Sequence, residues 1–245
     1  MRVDLNADMG EGAGTDAALC AVVTSANICA GLHAGGALEM ARVMRLAATR
    51  GVGLGVHPGF EDRAHFGRNR MNLSCAEIAD LIAYQTGAAQ AVAQMNGLQL
   101  RHFKLHGALA NMASEDPALA QACFGAARAV APGLRLVVLA ATAQQAAAAA
   151  MGADWAGEIF ADRAYNSDAT LVDRKLPGAV LHEATQAAPR ILAMLRAGAI
   201  ISETGHQIPA RIDTICLHGD SPEALDMARA LRAGLTAAGV TLAPL

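Results

Sequence analysis

Arg2-Val3-Asp4-Leu5-Asn6-Ala7-Asp8-Met9-Gly10-Glu11 opens the chain, and its alternation sets the architecture. Arg2–Leu5 reads as a short strand. Asp4, Asn6 and Asp8 alternate with Leu5 and Ala7, which puts three polar side chains on one face of an extended segment. Six further β-suited runs follow: Ala26–Cys29, Val52–Val56, Leu100–Leu105, Leu134–Leu139, Glu158–Ala161 and Thr214–Leu217. Between them lie stretches of helical spacing. In Ala37–Arg50, Leu38, Ala41 and Arg42, then Arg45 and Leu46, recur at i, i+3 and i+4. Ser74 and Glu77 form a capping-box signature for a helix running to about Met95. Ser114 or Asp116 caps the next ahead of Pro117. Glu183–Arg196 is a further helix that Pro189 should kink or delay. Pro222–Ala238, opened by Ser221 and ended at Gly239, is the last. Strands separated by helices pair in parallel through right-handed crossovers. Seven such units in 245 residues predict one (β/α) barrel domain over 1–245, with a doubly wound open sheet as the alternative.

Composition narrows the function classes. Hydrophobic residues make up 53% of the chain but aromatics only 3%, and much of the remainder is alanine, including Ala146–Ala150. With 17% charged residues and a net charge of −3, neither a polybasic nucleic-acid surface nor disorder fits. Leu136–Ala153 lacks charge, yet Thr142, Gln144 and Gln145 interrupt it, so it reads as a strand and an Ala-rich helix rather than a membrane span. Asp4, Asp8 and Glu11 argue against a signal peptide. Five scattered cysteines without a Cys-x-x-Cys pair suit a reducing compartment, and a cytoplasmic location is expected. Only Lys104 and Lys175 among the 19 basic residues are lysine.

The ends of the predicted strands carry the chemistry. Asp4, Asn6, Asp8 and Glu11 follow the first, and Asn27 and His33 the second. His57 ends the third, with Asp62, Arg63 and Arg68 beyond it. Lys104 and His106 end the fourth, Asp162 and Arg163 the sixth, His218 and Asp220 the seventh. Parallel α/β proteins gather catalytic groups at this end, because strand tips aim several loops at one point. The pattern predicts an enzyme. Lys104, between Phe103 and Leu105, needs an anion: a substrate carboxylate, a phosphate or Asp8. Arg63, Arg68 and Arg163 suit bidentate recognition of carboxylate or phosphate, or surface ion pairs. Turn-capping is the plain alternative for the acids, and a satisfied structural role for each histidine. His65, His102, His182 and His206 lack the strand-end context and read as core or surface. Gly10–Gly14 reads as an anion-binding backbone nest or a plain loop. No Gly-x-Ser-x-Gly or His-Glu-x-x-His motif is present, which favours water activated by a carboxylate or a metal.

Asp4-Leu5-Asn6-Ala7-Asp8-Met9-Gly10-Glu11, Ser25-Ala26-Asn27-Ile28 and Gly31-Leu32-His33-Ala34-Gly35 resemble the LamB/YcsF family. So do His57-Pro58-Gly59-Phe60-Glu61-Asp62-Arg63, Phe66-Gly67-Arg68 and Lys104-Leu105-His106-Gly107. Phe160-Ala161-Asp162-Arg163-Ala164-Tyr165, Ser202-Glu203-Thr204-Gly205 and Cys216-Leu217-His218-Gly219-Asp220 complete the set in family order. The resemblance implies a seven-stranded (β/α) barrel of the glycoside hydrolase/deacetylase type. It also implies ring opening of 5-oxoproline (pyroglutamate) to glutamate with hydrolysis of ATP, carrying Mg, in complex with two partner subunits, B and C. On that resemblance Asp8, or Asp4 through it, is a general base or metal ligand, and Glu11 assists at the same rim. His33, His57 and His218 polarise oxygens or shuttle protons, and Lys104 with His106 binds phosphate or carboxylate. Asp162, Arg163 and Asp220 orient these groups and hold the substrate, together with Asn6, Arg63 and Arg68. Asp8 with His33 and His57 offers one set of metal ligands, and a homo-oligomer stays open.

Three positions depart from the family pattern: Cys29-Ala30-Gly31 for Ala-Cys-Gly, Gly36 for an aspartate, and Leu105 for a proline. Gly36 bears on the substrate, since an acid there would position a ring nitrogen. Another lactam or cyclic amide is therefore an alternative substrate. A metal-dependent amidase or deacetylase and a non-catalytic lactam-binding component are alternative classes.

Overall fold

A computed structural model describes residues 1–181, 183–218 and 222–245. Three expectations, for His182, for Asp220 in the site and for Ser221 as a helix cap, fall outside the described residues. The first half runs β1 (Arg2–Met9), α1 (Asp16–Leu19), β2 (Ser25–Cys29), α2 (Ala37–Thr49), β3 (Gly53–His57), a 3-10 turn (Arg63–His65), α3 (Cys75–Met95), β4 (His102–Lys104), α4 (Gly107–Glu115) and α5 (Pro117–Val130). The second runs β5 (Arg135–Leu139), α6 (Ala143–Ala150), β6 (Trp155–Phe160), α7 (Ala184–Ala197), β7 (Ala199–Ile201), β8 (Gln207–Pro209), β9 (Thr214–Leu217), α8 (Pro222–Ala237) and β10 (Thr241–Leu242).

Seven of these strands close a parallel barrel. The ladder passes from β1 through β2, β3, β4, β5 and β6 to β9, and β9 pairs back onto β1 with Asp4 opposite Thr214 and Asn6 opposite Cys216. Closure settles the choice against an open sheet. Thr241 and Leu242 of β10 sit beside Arg2 and Val3, ahead of the point where β9 takes over as the neighbour of β1. β1 continues to Met9, beyond the expected Leu5, because the inward side chains of Asn6 and Asp8 both find buried partners. β7 and β8 form an antiparallel hairpin outside the barrel that no sequence signal announced.

Local chemistry accounts for the helix ends. Ser74 Oγ accepts from the Glu77 amide while Glu77 accepts from the Ser74 amide, which starts α3 as expected. Asp116, not Ser114, caps α5: its Oδ1 accepts from the amides of Ala118 (2.8 Å) and Leu119 (3.2 Å). Ser114 instead lies in α4 and donates to the Asn111 carbonyl. Pro189 sits inside α7, which begins at Ala184 all the same and ends at Gly198 in the left-handed region. Small residues make the buried helix faces: Ala89 and Ala93 on α3, Ala120 and Ala127 on α5, Ala147 and Ala148 on α6. Among the described residues no helix is long and apolar enough to cross a membrane.

Candidate active site

The barrel interior is polar from bottom to mouth, so nearly every inward side chain must find a partner. Asp4 lies lowest. Its carboxylate accepts from Thr24, Ser25 and Thr214 at 2.6–2.7 Å, and burial still pushes its pKa up against those bonds. The expectation that Asp4 faces the mouth is therefore corrected: its acceptor sites are spent on hydroxyls at the N-terminal end of the barrel. One step higher, Asn6 donates to Glu158 (3.0 Å) and Thr214 (2.6 Å) and accepts from Asn27 (2.7 Å). His102, expected to be core or surface, is in the barrel, where its Nε2 lies 2.8 Å from Asn27 Oδ1.

Lys104 is the hub above this layer. Its Nζ lies 2.9 Å from Glu158, 3.1 Å from Asp8 Oδ1, 3.2 Å from Asn6 Oδ1 and 3.0 Å from Cys216 Sγ, and the residue is 2% exposed. Burial alone would favour the neutral amine, but Asp8, Cys216 and Glu158 outweigh it and hold the ammonium well above its ordinary pKa. Asp8 shows the converse: burial opposes its charge, and His57 and Lys104 overcome that and hold the carboxylate well below its usual range. Burial pushes Glu158 and the Cys216 thiol up. Glu158 and Cys216 were not expected as site residues. The only available signal was parity, since Glu158 shares its strand face with Phe160 and Asp162.

At the mouth, β1, β2, β3, β4 and the loops that follow them bring Glu11, His33, His57 and His106 together. His106 Nδ1 is 3.0 Å from His57 Nε2, and His33 Nε2 is 3.1 Å from Glu11 Oε1. The His33 and His106 rings stack with centroids 3.7 Å apart. Gly59 and Gly67 make that stack possible. A Cβ on Gly59 would meet His33 Nδ1 at 2.8 Å, and one on Gly67 would meet His106 Cδ2 and His33 Cβ, each at 2.9 Å. Burial, then neighbouring imidazole charge, pulls the pKa of His33 and of His106 down to about 3, so both are neutral bases at physiological pH. Across the mouth His218 Nδ1 lies 2.6 Å from Asp162 Oδ2. There burial opposes the imidazolium, but Asp162 raises the His218 pKa overall, and His218 lowers that of Asp162 against its own burial.

Asp8, Glu11, His57, Lys104, His106 and His218 all line one cavity of about 810 Å³, whose rim carries Arg68, Arg174 and Lys175. Arg68 stacks over Phe66 at 5.0 Å. The other two arginines are spent on backbone. Arg63 donates to the carbonyls of Gly31 and Gly35 and clamps the loop bearing His33. Arg163 also lines the cavity but donates to the carbonyls of Val172 and Ala179, and burial lowers its pKa to about 10. In the Gly10–Gly14 loop the Gly10 amide donates to Asp16 and so does not face an anion in the cavity. Gly36 precedes α2 as its N-cap and does not line the cavity, so an aspartate there would serve as a helix cap.

The closed seven-stranded parallel barrel, with its buried acid–base cluster under a cationic rim, is a fold of the glycoside hydrolase/deacetylase type. A GH20 β-N-acetylhexosaminidase from Streptomyces coelicolor shares this fold alone, with TM-score 0.51 at 14% identity over 98% of this chain and 70% of that one. Residues 3–245 match the LamB/YcsF family, and the chain belongs to it. The A component of 5-oxoprolinase from Ruegeria pomeroyi is 52% identical over 246 residues, covering 98% of this chain and 97% of the relative. A lactam utilization protein from Thermus thermophilus superposes with TM-score 0.92 at 40% identity, with both chains covered in full.

Proposed function

We propose that this chain is the A component of an ATP-dependent 5-oxoprolinase, and that its cavity opens 5-oxoproline, or a close lactam, to the free amino acid. The full-length similarity to proteins bearing that name supports the substrate class. The observation that carries the chemistry is the pairing of Asp8 with His218. Ligand atoms of Asp8, Cys216 and His218 all lie within 4.8 Å of one another, and Asp8 is held ionised while His218 is held towards its protonated form. Groups whose environments drive their protonation apart are suited to act as base and acid.

A five-membered lactam is an amide with a poor leaving nitrogen. Asp8 would take a proton from the attacking water, and His218, steadied by Asp162, would return one to the ring nitrogen as the C–N bond breaks. Lys104 holds Asp8 in its charged form and places positive charge beside the reacting carbonyl. ATP, when bound, supplies activation of the amide oxygen. Arg68, Arg174 and Lys175 on the rim are the residues that suit its phosphates, and about 300–1,000 Å³ is the usual range for such sites. The B and C partners would cover the mouth and keep bulk water from the activated substrate. Co-expression with candidate B and C partners tests the reading: glutamate is released from 5-oxoproline only with ATP. Turnover by the isolated chain without ATP would replace it with a stand-alone amidase.

A further inference from the structure

We propose that Glu11, His33, His57 and His106 form a divalent-metal site at the barrel mouth. One ligand atom from each of Glu11, His33, His57 and His106 lies within 4.8 Å of those of the other three. The separations of Glu11 Oε1 from His33 Nε2, His57 Nε2 and His106 Nδ1 are 3.1, 4.0 and 3.5 Å, and His57 lies 3.0 Å from His106. Four ligands about 2.0–2.1 Å from a tetrahedral ion stand roughly 3.4 Å apart, so the observed spread brackets that geometry.

The tautomers point the same way. His57 Nδ1 donates to the Lys104 carbonyl at 2.9 Å, and His106 Nε2 donates to the Phe66 carbonyl at 2.8 Å. Each ring thereby spends one N–H on backbone and turns its other nitrogen towards the other ring, a 3.0 Å approach that requires a proton or a cation between them. Backbone carbonyls on the far nitrogen are also how metal-binding histidines are commonly fixed. A shared proton would satisfy two of these atoms, whereas four converge. Asp8 Oδ1 is engaged by Lys104 and Asn27, while its Oδ2, 3.2 Å from His57 Nε2, borders the set and adds negative charge beside it. His33 Nδ1 finds no partner among the described residues, and its ring is held by stacking on His106. Imidazole with one carboxylate suits Zn²⁺, whose chemistry in such a site is Lewis-acid polarisation of a bound oxygen.

Metal binding is read on the isolated full-length chain, without turnover, so it stands or falls apart from the ring-opening reading. After treatment with a chelator, Zn²⁺ is titrated calorimetrically and Co²⁺ by its visible spectrum. One equivalent should bind, with the intense bands of four-coordinate Co²⁺. His57→Ala and His106→Ala should each weaken binding by at least about 100-fold, beyond what loss of an outer-shell partner costs. Cys216→Ser should bind as the parent does. Should the ring variants fail to fold by circular dichroism, Glu11→Gln decides: weaker binding supports the site and unchanged binding overturns it. Absence of stoichiometric binding, or binding lost in Cys216→Ser but kept in the histidine variants, also overturns it.

Discussion

Lys104 shows how one side chain can serve both stability and chemistry. It neutralises Glu158, whose side chain is fully buried, and Asp8, whose side chain is 10% exposed at the cavity. Lys104→Met would leave that pair uncompensated, and removing one partner of a buried ion pair costs about 3–5 kcal/mol. Urea unfolding should show a loss of that order. The mouth pair gives a pH signature. The pKa of His218 is raised above its ordinary 6.5, so its contribution to stability is complete below that value and is lost as pH rises through the raised one. The pKa of Asp162 is lowered from 3.8, so its contribution is complete above that value and is lost as pH falls through the lowered one. The stability gap between the parent and Asp162→Asn should therefore be widest between pH 3.8 and 6.5, at about 1–3 kcal/mol, and shrink on either side. Unfolding curves across that range check it. Lys104 stood out in the sequence because lysine is so scarce. Glu158 did not, because an acid at the start of an apolar run looks like a strand boundary until closure of the barrel turns it inward.

Elements were legible where a local rule acts alone. The capping box of α3, the Asp116 cap with Pro117 behind it, and the strand–helix alternation all depend on neighbours in the chain. The β7–β8 hairpin and α4 were missed, since their short segments are held by what they pack against. The same limit explains the arginines. Residue type made Arg63 and Arg163 look like ligand contacts, but backbone carbonyls brought close by the loops 31–35 and 172–179 claimed them first. The Gly36 departure now belongs to α2 rather than to the substrate. Gly36→Asp should raise stability by a few tenths of a kcal/mol, the usual gap between Gly and Asp caps, and leave substrate preference unchanged. Thermal melts beside substrate profiles read both halves. Asp116→Ala should cost about 1 kcal/mol by the same measurement.

At the scale of the molecule, an alanine-rich jacket surrounds a barrel whose interior holds a small share of the charge, ion-paired or hydrogen-bonded. Asp4, Glu158, Lys104 and Asp8 mark a column from base to mouth, and the stacked histidines and the Asp162–His218 pair complete the opening. Seven strands in parallel were readable from the repeat of short β-suited runs. That the interior would be a hydrogen-bonded network was only partly so, because pairing across the barrel joins residues up to 210 positions apart, as in Thr214 to Asp4. The central claim is that this cavity is the reaction centre. It is tested most directly by glutamate release from 5-oxoproline, with ATP, in the complex assembled with the B and C partners and carrying Asp8→Asn. The account predicts a folded complex whose turnover falls by about 10²–10⁴-fold. Full turnover in that complex would contradict it.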